Sequence, residues 1–343
     1  MTEQQRRRVR MIDVAESLGL SRATVSLAMR RSPLLAPATR DQVLAEADRL
    51  GYVYNQAAAD LRTQRTRMVA LVMPDIVNPF VAELSLGAQD VLAELGYFVM
   101  ITNTRDQLDM QRSVLKSLAE QRVAGVIIIP ALHSTADDLG PAADSQLPAI
   151  VLYRKLADSA LPFVGTADAR IAQIGTAHLT EQHRCRRIAY FGGEVPAYPR
   201  AEREAAFRRS LAGADAEIDE RWTAPVPADV HSAHQIAAEH LQDGPPPDGI
   251  LCHSDQVAYG LLKALAEFGY TSDDCAVVGI DDLHSSAVWS PSVTSVAVHP
   301  IDLGRVSGRM LMDLVGDAPS GDRAVPDPVL RRRASCGCAT DHS

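Results

Sequence analysis

An all-α helix-turn-helix head followed by a two-lobed α/β body with parallel sheets is the fold class this sequence predicts, on three observations. Residues 11 to 35, MIDVAESLGLSRATVSLAMRRSPLL, carry apolar side chains at helical spacing on both sides of a glycine. From Met68 onward, short strand-like apolar runs alternate with helix-length ones, the pattern of parallel βαβ units. Charge is split: residues 1 to 67 hold 12 arginines and no lysine against 7 acidic residues, whereas the whole 343-residue chain carries −9. A basic head on an acidic body reads as a nucleic-acid module joined to a unit that phosphate repels.

In the head, Ile12, Val14, Ala15 and Leu18 form one helical stripe, Gly19 breaks it, Leu20 plugs the turn and Ser21 can cap a second short helix. On that helix Val25, Ala28 and Met29 fall inward, leaving Arg22, Ala23, Ser26, Leu27 and Arg30 outward. A helix of this size fits the major groove. Arg6, Arg7, Arg8 and Arg10 precede it as a basic arm, suited to phosphate contact or to simple solvation. Pro37 suits a first helical position, and Val43, Leu44, Ala47 and Leu50 make the inner stripe of a third helix that Gly51 stops.

The segment Asn55 to Leu61, NQAAADL, has a capping Asn and helix-favouring alanines but is too short to hold a helix alone in water. Either it is an ordinary linker, or it orders against a second copy on DNA with Leu61 as a minor-groove wedge. Arg62 to Arg67 then leads into the body.

The body reads as strands at Val69 to Met73, Phe98 to Thr102, Gly125 to Ile129, Ala149 to Leu152, Arg187 to Phe191, Ile250 to Cys252 and Ala276 to Ile280. Helices are predicted at Phe80 to Leu95, Gln107 to Gln121, near Thr135 to Ser145, and at Arg200 to Leu211, His234 to Leu241 and Gln256 to Phe268. Open α/β sheets bind ligands beyond the carboxyl ends of their strands. Polar groups placed there are Asp75, Asn78, Thr102, Asn103, Thr104, Arg154, Asp255, Asp281 and Asp282, with Phe80 beside them. Each polar one could instead cap the helix that begins nearby.

Other classes find little support. No apolar run reaches membrane-span length and no apolar segment follows the basic N-terminus, which predicts a soluble cytoplasmic protein without a secretory signal. Five scattered cysteines suit a reducing compartment. Cys336-Gly-Cys338 resembles half a metal site without further ligands, while His178 and His183 read as capping or surface residues and His231, His234 and His240 are loosely spaced. There is no nucleophile elbow, P-loop, HExxH or GxGxxG after a strand, which argues against an enzyme and against a cofactor or metal requirement.

DVAESLGLSRATVS, then GYVYNQAAADLRTQRTRMVALVMPDIVNPF, then VVGIDDLHSSAVWSPSVTSVAVHPIDLG and the terminal RRRASCGC, resemble the LacI/GalR family of bacterial transcriptional repressors over nearly the whole chain. The resemblance implies a periplasmic-binding-protein-like body and three parts. These are a helix-turn-helix domain over 1–53, a hinge helix and linker over 54–67, and an effector-binding and dimerisation domain over 68–343. Its first lobe would take roughly 68–165 and 300–325, its second roughly 166–299 and 326–335. Arg10, Ser21, Arg22, Ala23, Thr24, Ser26, Leu27, Arg30, Tyr52, Asn55 and Leu61 would then face DNA.

By the same resemblance Asp255 in SDQVAYG would accept from effector hydroxyls and Arg203 in PRAEREAAF would donate to them. Phe80 would pack on the ligand, Trp289 would line the cleft and Asp168 stands near a family aspartate or asparagine; the strand-end residues Asp75, Asn103 and Arg154 complete the set. A carboxylate and a guanidinium facing an aromatic plate suit a sugar-like metabolite. The implied protein is a homodimer on a near-palindromic operator, released or recruited by an effector. A solute-binding protein of the periplasmic type is the competing reading of the body. The chain departs from the family at Leu27, Arg30, Tyr54 and Ala36; Leu27 removes a guanine-reading arginine and Ala36 removes a helix cap.

Overall fold

The computed structural model describes residues 9–29, 32, 34–54, 66–212, 214–317 and 324–338, and the chain divides into two compact units, Met1–Thr66 and Arg67–Ser343. Arg6, Arg7, Arg8, Arg30 and the Asn55 to Leu61 segment lie outside the described residues.

Among its described residues the first unit holds three helices. Helix α1 (Met11–Leu18) stops where Gly19 takes a left-handed φ of 63°, a conformation that costs a glycine little. Helix α2 (Arg22–Met29) starts after Ser21, whose Oγ accepts from the Thr24 backbone N at 3.0 Å. Helix α3 (Pro37–Leu50) has proline in its first turn, an Ala36 N-cap with no side-chain acceptor, and Gly51 as its stop. Val14, Ala15, Val25, Ala28, Val43 and Ala47 are buried between them, with Leu18, Leu20, Met29 and Leu50 packed around. The small residues at these contacts let three short helices share one core.

Among its described residues the second unit holds two sheets. The first contains β1 (Met68–Met73), β2 (Phe98–Asn103), β3 (Gly125–Ile128), β4 (Ala149–Leu152) and β5 (Phe163–Val164), ordered β2-β1-β3-β4-β5 and parallel throughout. On β1, Val69, Leu71 and Met73 face one apolar layer while Ala70 and Val72 face the other. Both faces are therefore dry, and the strand is apolar without alternation.

The second sheet contains β6 (Arg187–Phe191), β7 (Glu217–Ile218), β8 (Gly249–Cys252), β9 (Ala276–Asp281), β10 (Thr294–Ala297) and β11 (Val329–Arg331), ordered β11-β10-β9-β8-β6-β7. Only the β10–β11 pair is antiparallel. Among the described residues the intervening helices are α4 (Pro79–Glu94), α5 (Leu108–Glu120), α6 (Gly140–Asp144), α7 (Asp168–Ala177), α8 (Tyr198–Leu211), α9 (Val230–Gln242), α10 (Asp255–Glu267), α11 (His284–Val288) and α12 (Pro300–Val315).

Helix α12 is absent from the sequence reading, and Gly304 and Gly308 explain why: glycine weakens a helical signal. The structure uses Gly304 for close approach, since a Cβ there would lie 2.0 Å from the carbonyl oxygen of Leu84 on α4. No helix among the described residues is long and apolar enough to cross a membrane.

Candidate functional site

In each sheet the strand order reverses direction at one place. In the first it lies between β1 and β3, and in the second between β6 and β8. Flanking connections leave on opposite faces at such a point, so the strand ends border a crevice. Both crevices open on one cavity of about 360 Å³, at the small end of the roughly 300–1,000 Å³ typical of ligand pockets. Pro74, Asp75 and Ile129 reach it from the β1 and β3 ends, and Glu194, His253 and Ser254 from the β6 and β8 ends.

Its lining carries five carboxylates, Asp75, Asp106, Glu194, Asp229 and Asp281, against the guanidiniums of Arg105 and Arg154. Arg154 Nη1 meets Asp106 Oδ1 at 2.6 Å, and that same oxygen accepts from the Leu132 backbone N at 2.8 Å. Phe80 and Tyr153 form an aromatic wall, their ring centroids 4.7 Å apart. Burial pushes the Tyr153 hydroxyl up to about 12, so it is a neutral donor at physiological pH. Arg105, Asp106, Tyr153 and Asp281 all take positive φ. Left-handed non-glycine residues concentrate at ligand-binding and catalytic sites.

Of the predicted effector contacts, Asp75, Phe80, Asn103 and Arg154 line the cavity. Asp75 Oδ1 also accepts from the Val77 backbone N at 2.9 Å in a local turn, whereas the cap of α4 is Asn78, whose Oδ1 accepts from the Phe80 backbone N at 3.0 Å. Asp168, Arg203, Asp255 and Trp289 do not line it. Arg203 Nε is paired with Asp168 Oδ1 at 2.7 Å and its Nη1 donates to the His253 carbonyl at 2.8 Å, so both residues sit behind the wall that His253 forms. Asp255 is fully buried and accepts from the Leu283 backbone N, Ser286 Oγ and Ser295 Oγ at 2.9, 2.5 and 2.6 Å. Trp289 stacks on Tyr259, with centroids 4.4 Å apart. Asp282, also a strand-end candidate, is held by Arg333 Nη2 at 2.6 Å.

The sequence reading missed Tyr153, Arg105, Asp106, Glu194, Asp229 and His253. Tyr153 and His253 each directly follow a strand and were findable by the rule that found Arg154. Two buried atoms near this wall lack partners, Arg203 Nη2 and Asp168 Oδ2.

On the head, Ser21, Arg22 and Ala23 are exposed, whereas Thr24, Ser26 and Leu27 are half-buried. The Ser21 and Thr24 hydroxyls are 2.8 Å apart, which commits both to the cap. Tyr52 packs on the head core, and Arg10 lies 3.9 Å from Asp13.

A helix-turn-helix head joined to two facing α/β sheets with a ligand-sized cavity at their switch points is the architecture of a ligand-responsive regulator. The comparisons agree. Residues 176–336 match the model of the periplasmic binding protein-like domain. The ribose operon repressor of Halalkalibacterium halodurans is 30% identical over 312 residues, covering 90% of each chain. The repressor PurR of Photobacterium profundum is 26% identical and covers 93% of this chain and 97% of its own. The regulator CelR, solved with cellobiose, superimposes with a TM-score of 0.70 at 28% identity over 96% of this chain and 100% of its own. The Lac repressor dimer bound to operator shares the fold, with a TM-score of 0.81 at 23% identity over 96% of this chain and 99% of its own. The chain belongs to the LacI/GalR family of bacterial transcriptional regulators. Its two-lobed body is that of a transcriptional regulator and not of a free-standing solute-binding protein.

Proposed function

We propose that this regulator is a cytoplasmic homodimeric repressor whose hold on a near-palindromic operator is set by a neutral, sugar-like metabolite in the cavity between its sheets. The observation that carries the effector class is the lining itself. Carboxyl groups outnumber guanidiniums in the lining that holds the Phe80–Tyr153 wall, Asp281 among them being pushed toward its neutral form by burial. Such a surface accepts from hydroxyl donors, stacks on a sugar face and repels anions. The sugar-linked names of the ribose operon repressor and of CelR with cellobiose support the same class.

In this reading residues 1–53 are the DNA-binding domain, 54–67 the hinge and 68–343 the effector and dimerisation domain. Arg22, Ala23, Ser26 and Leu27 face bases from α2, and the arginines of the N-terminal arm face phosphate. The body works as a sensor and not as a catalyst. A ligand that prefers one angle between the lobes shifts operator affinity by the same coupling energy that DNA exerts on ligand affinity, typically about 1–3 kcal/mol.

The test is a thermal-shift screen of neutral sugars, polyols and anionic metabolites on the full chain, followed by operator binding at fixed salt with each hit. Stabilisation by neutral polyhydroxylated compounds that also alters operator affinity is the expected result. Stabilisation only by phosphorylated or carboxylated compounds refutes the effector class.

A further inference from the structure

The sequence reads Cys336 and Cys338 as two thiols without companions, and His178 and His183 as separate capping or surface residues. The fold brings all four together, and His178 is buried. Their donor atoms, His178 Nε2, His183 Nε2, Cys336 Sγ and Cys338 Sγ, all lie within 4.8 Å of one another. The two Nε2 atoms are 3.1 Å apart; His178 Nε2 is 3.4 Å from Cys336 Sγ and 3.8 Å from Cys338 Sγ; His183 Nε2 is 3.4 Å from Cys338 Sγ.

From these distances we propose that the second lobe holds a structural zinc ion, bound by His178, His183, Cys336 and Cys338. Tetrahedral zinc with bonds of about 2.0–2.1 Å to nitrogen and 2.3 Å to sulfur sets its ligands about 3.3 Å apart for N···N and about 3.6 Å for N···S. The separations cluster around those edges. Hydrogen bonds pair groups along lines, whereas four lone pairs gathered round one point are what a cation needs. Two imidazoles and two thiols select a borderline-soft metal over calcium or magnesium. Binding releases both thiol protons to solvent, and the two thiolates then cancel the ion's charge, which keeps a largely buried site neutral.

The backbone is built to this end. Five residues along an α-helix leave two side chains about 140° apart around the axis. His178–Gln182 is instead a π turn, closed by the His183 backbone N donating to the His178 carbonyl at 3.4 Å. Its wider loop brings the His183 ring edge-on to that of His178, centroids 4.7 Å apart and planes at 78°. Between the cysteines, Gly337 takes a left-handed φ of 80°, which turns the chain so that both sulfurs reach the same imidazoles. His183 and Cys336 also border an open cavity of about 430 Å³, a route for the ion. His183 and Cys338 stand 155 positions apart, so the metal would staple the end of the described chain to the far end of α7.

Full-length protein is purified under reducing conditions, loaded with zinc, washed with a weak chelator and assayed for metal. The wild type should keep about one zinc per chain, and Cys338→Ser and His183→Gln less than about a tenth of that, with unchanged far-ultraviolet circular dichroism. Cobalt in place of zinc should give the intense visible bands of a tetrahedral thiolate site in the wild type alone. Zinc should raise the wild-type melting midpoint by roughly 5 °C and leave both variants unmoved. Wild-type protein that emerges from the wash without zinc overturns the proposal. So do variants that retain zinc equally.

Discussion

Arg203 Nε donates to Asp168 Oδ1 at 2.7 Å with both side chains sealed from solvent, directly behind the His253 wall of the cavity. Such a pair is costly to leave half made, because the survivor is a buried charge without a counter-charge. Asp168→Ala should therefore lower the stability of the body by about 3–5 kcal/mol, and Asp168→Leu with Arg203→Met should recover much of it. Urea unfolding followed by tryptophan fluorescence measures both. A single variant within about 1 kcal/mol of wild type would show that the pair does not anchor the wall.

Asp255 predicts a pH dependence. Burial pushes its carboxyl up to about 7 despite three hydrogen-bond donors, and burial raises its neighbour Asp281 as well. A raised value means that folding takes up a proton. The stabilisation is then complete below the unfolded carboxyl value of about 3.9 and drains away as pH rises toward 7. Asp255→Asn removes the titration, so its stability relative to wild type should improve with rising pH, by up to about 1.4 kcal/mol per pH unit below 7. Parallel denaturation series between about pH 5 and pH 8 read this out. A difference that stays flat across the series would place an ionised Asp255 in the folded protein throughout.

What was legible in the sequence follows from what each signal depends on. Met68–Met73 and Arg187–Phe191 declare themselves because strands dry on both faces are uninterrupted apolar runs. Asp75, Asn103 and Arg154 were found because they lie at the carboxyl ends of strands or within two residues of them. Glu194 and Asp229 were not, because they reach the cavity only once two sheets face each other, a relation no local pattern encodes. Asp255 and Arg203 took their expected roles from family resemblance; here serines and a backbone amide occupy the Asp255 carboxyl, and Asp168 and the His253 carbonyl take Nε and Nη1 of Arg203. The His178, His183, Cys336 and Cys338 cluster was invisible for two reasons. Its histidine spacing works only through a π turn, and its halves lie at opposite ends of the lobe's sequence.

Phe80 should matter to the effector more than to the fold. It is 3% exposed and its ring leans on Tyr153, which makes it half of the only aromatic wall among the lining residues. Phe80→Leu keeps an apolar side chain of similar bulk and loses the plate. Effector affinity should drop about tenfold, the scale of one aromatic contact, with operator affinity in the absence of effector unchanged. Isothermal titration with a hit from the sugar screen measures the first, and a retardation assay the second. Undiminished affinity would move the ligand off this wall.

Ala36 leaves the start of α3 without a side-chain acceptor, although its backbone already has the extended ψ of a cap, 137°. Ala36→Ser should supply the missing oxygen and stabilise the head by about 0.5–1 kcal/mol. Thermal unfolding of the full chain, monitored at the lower transition if the two units melt apart, reads the gain. An unchanged midpoint would mean that the first turn of α3 is already satisfied by water.

Arg22 is the sharpest test of the DNA-reading face. The Ser21 and Thr24 hydroxyls are engaged with each other at the start of α2, so the cap fixes the helix while Arg22, next in line, remains exposed. A guanidinium on the first turn of a recognition helix can reach a guanine edge with two hydrogen bonds, and Leu27 cannot do so further along. Arg22→Ala should relax base preference at one position of each half-site by roughly tenfold. Binding to non-cognate duplex should fall only slightly, since one phosphate-range charge is lost among many. Selection from a randomised operator library at fixed salt separates these outcomes. A variant that loses affinity equally on every sequence would make Arg22 a backbone contact and shift base reading to Ala23, Ser26 and Leu27.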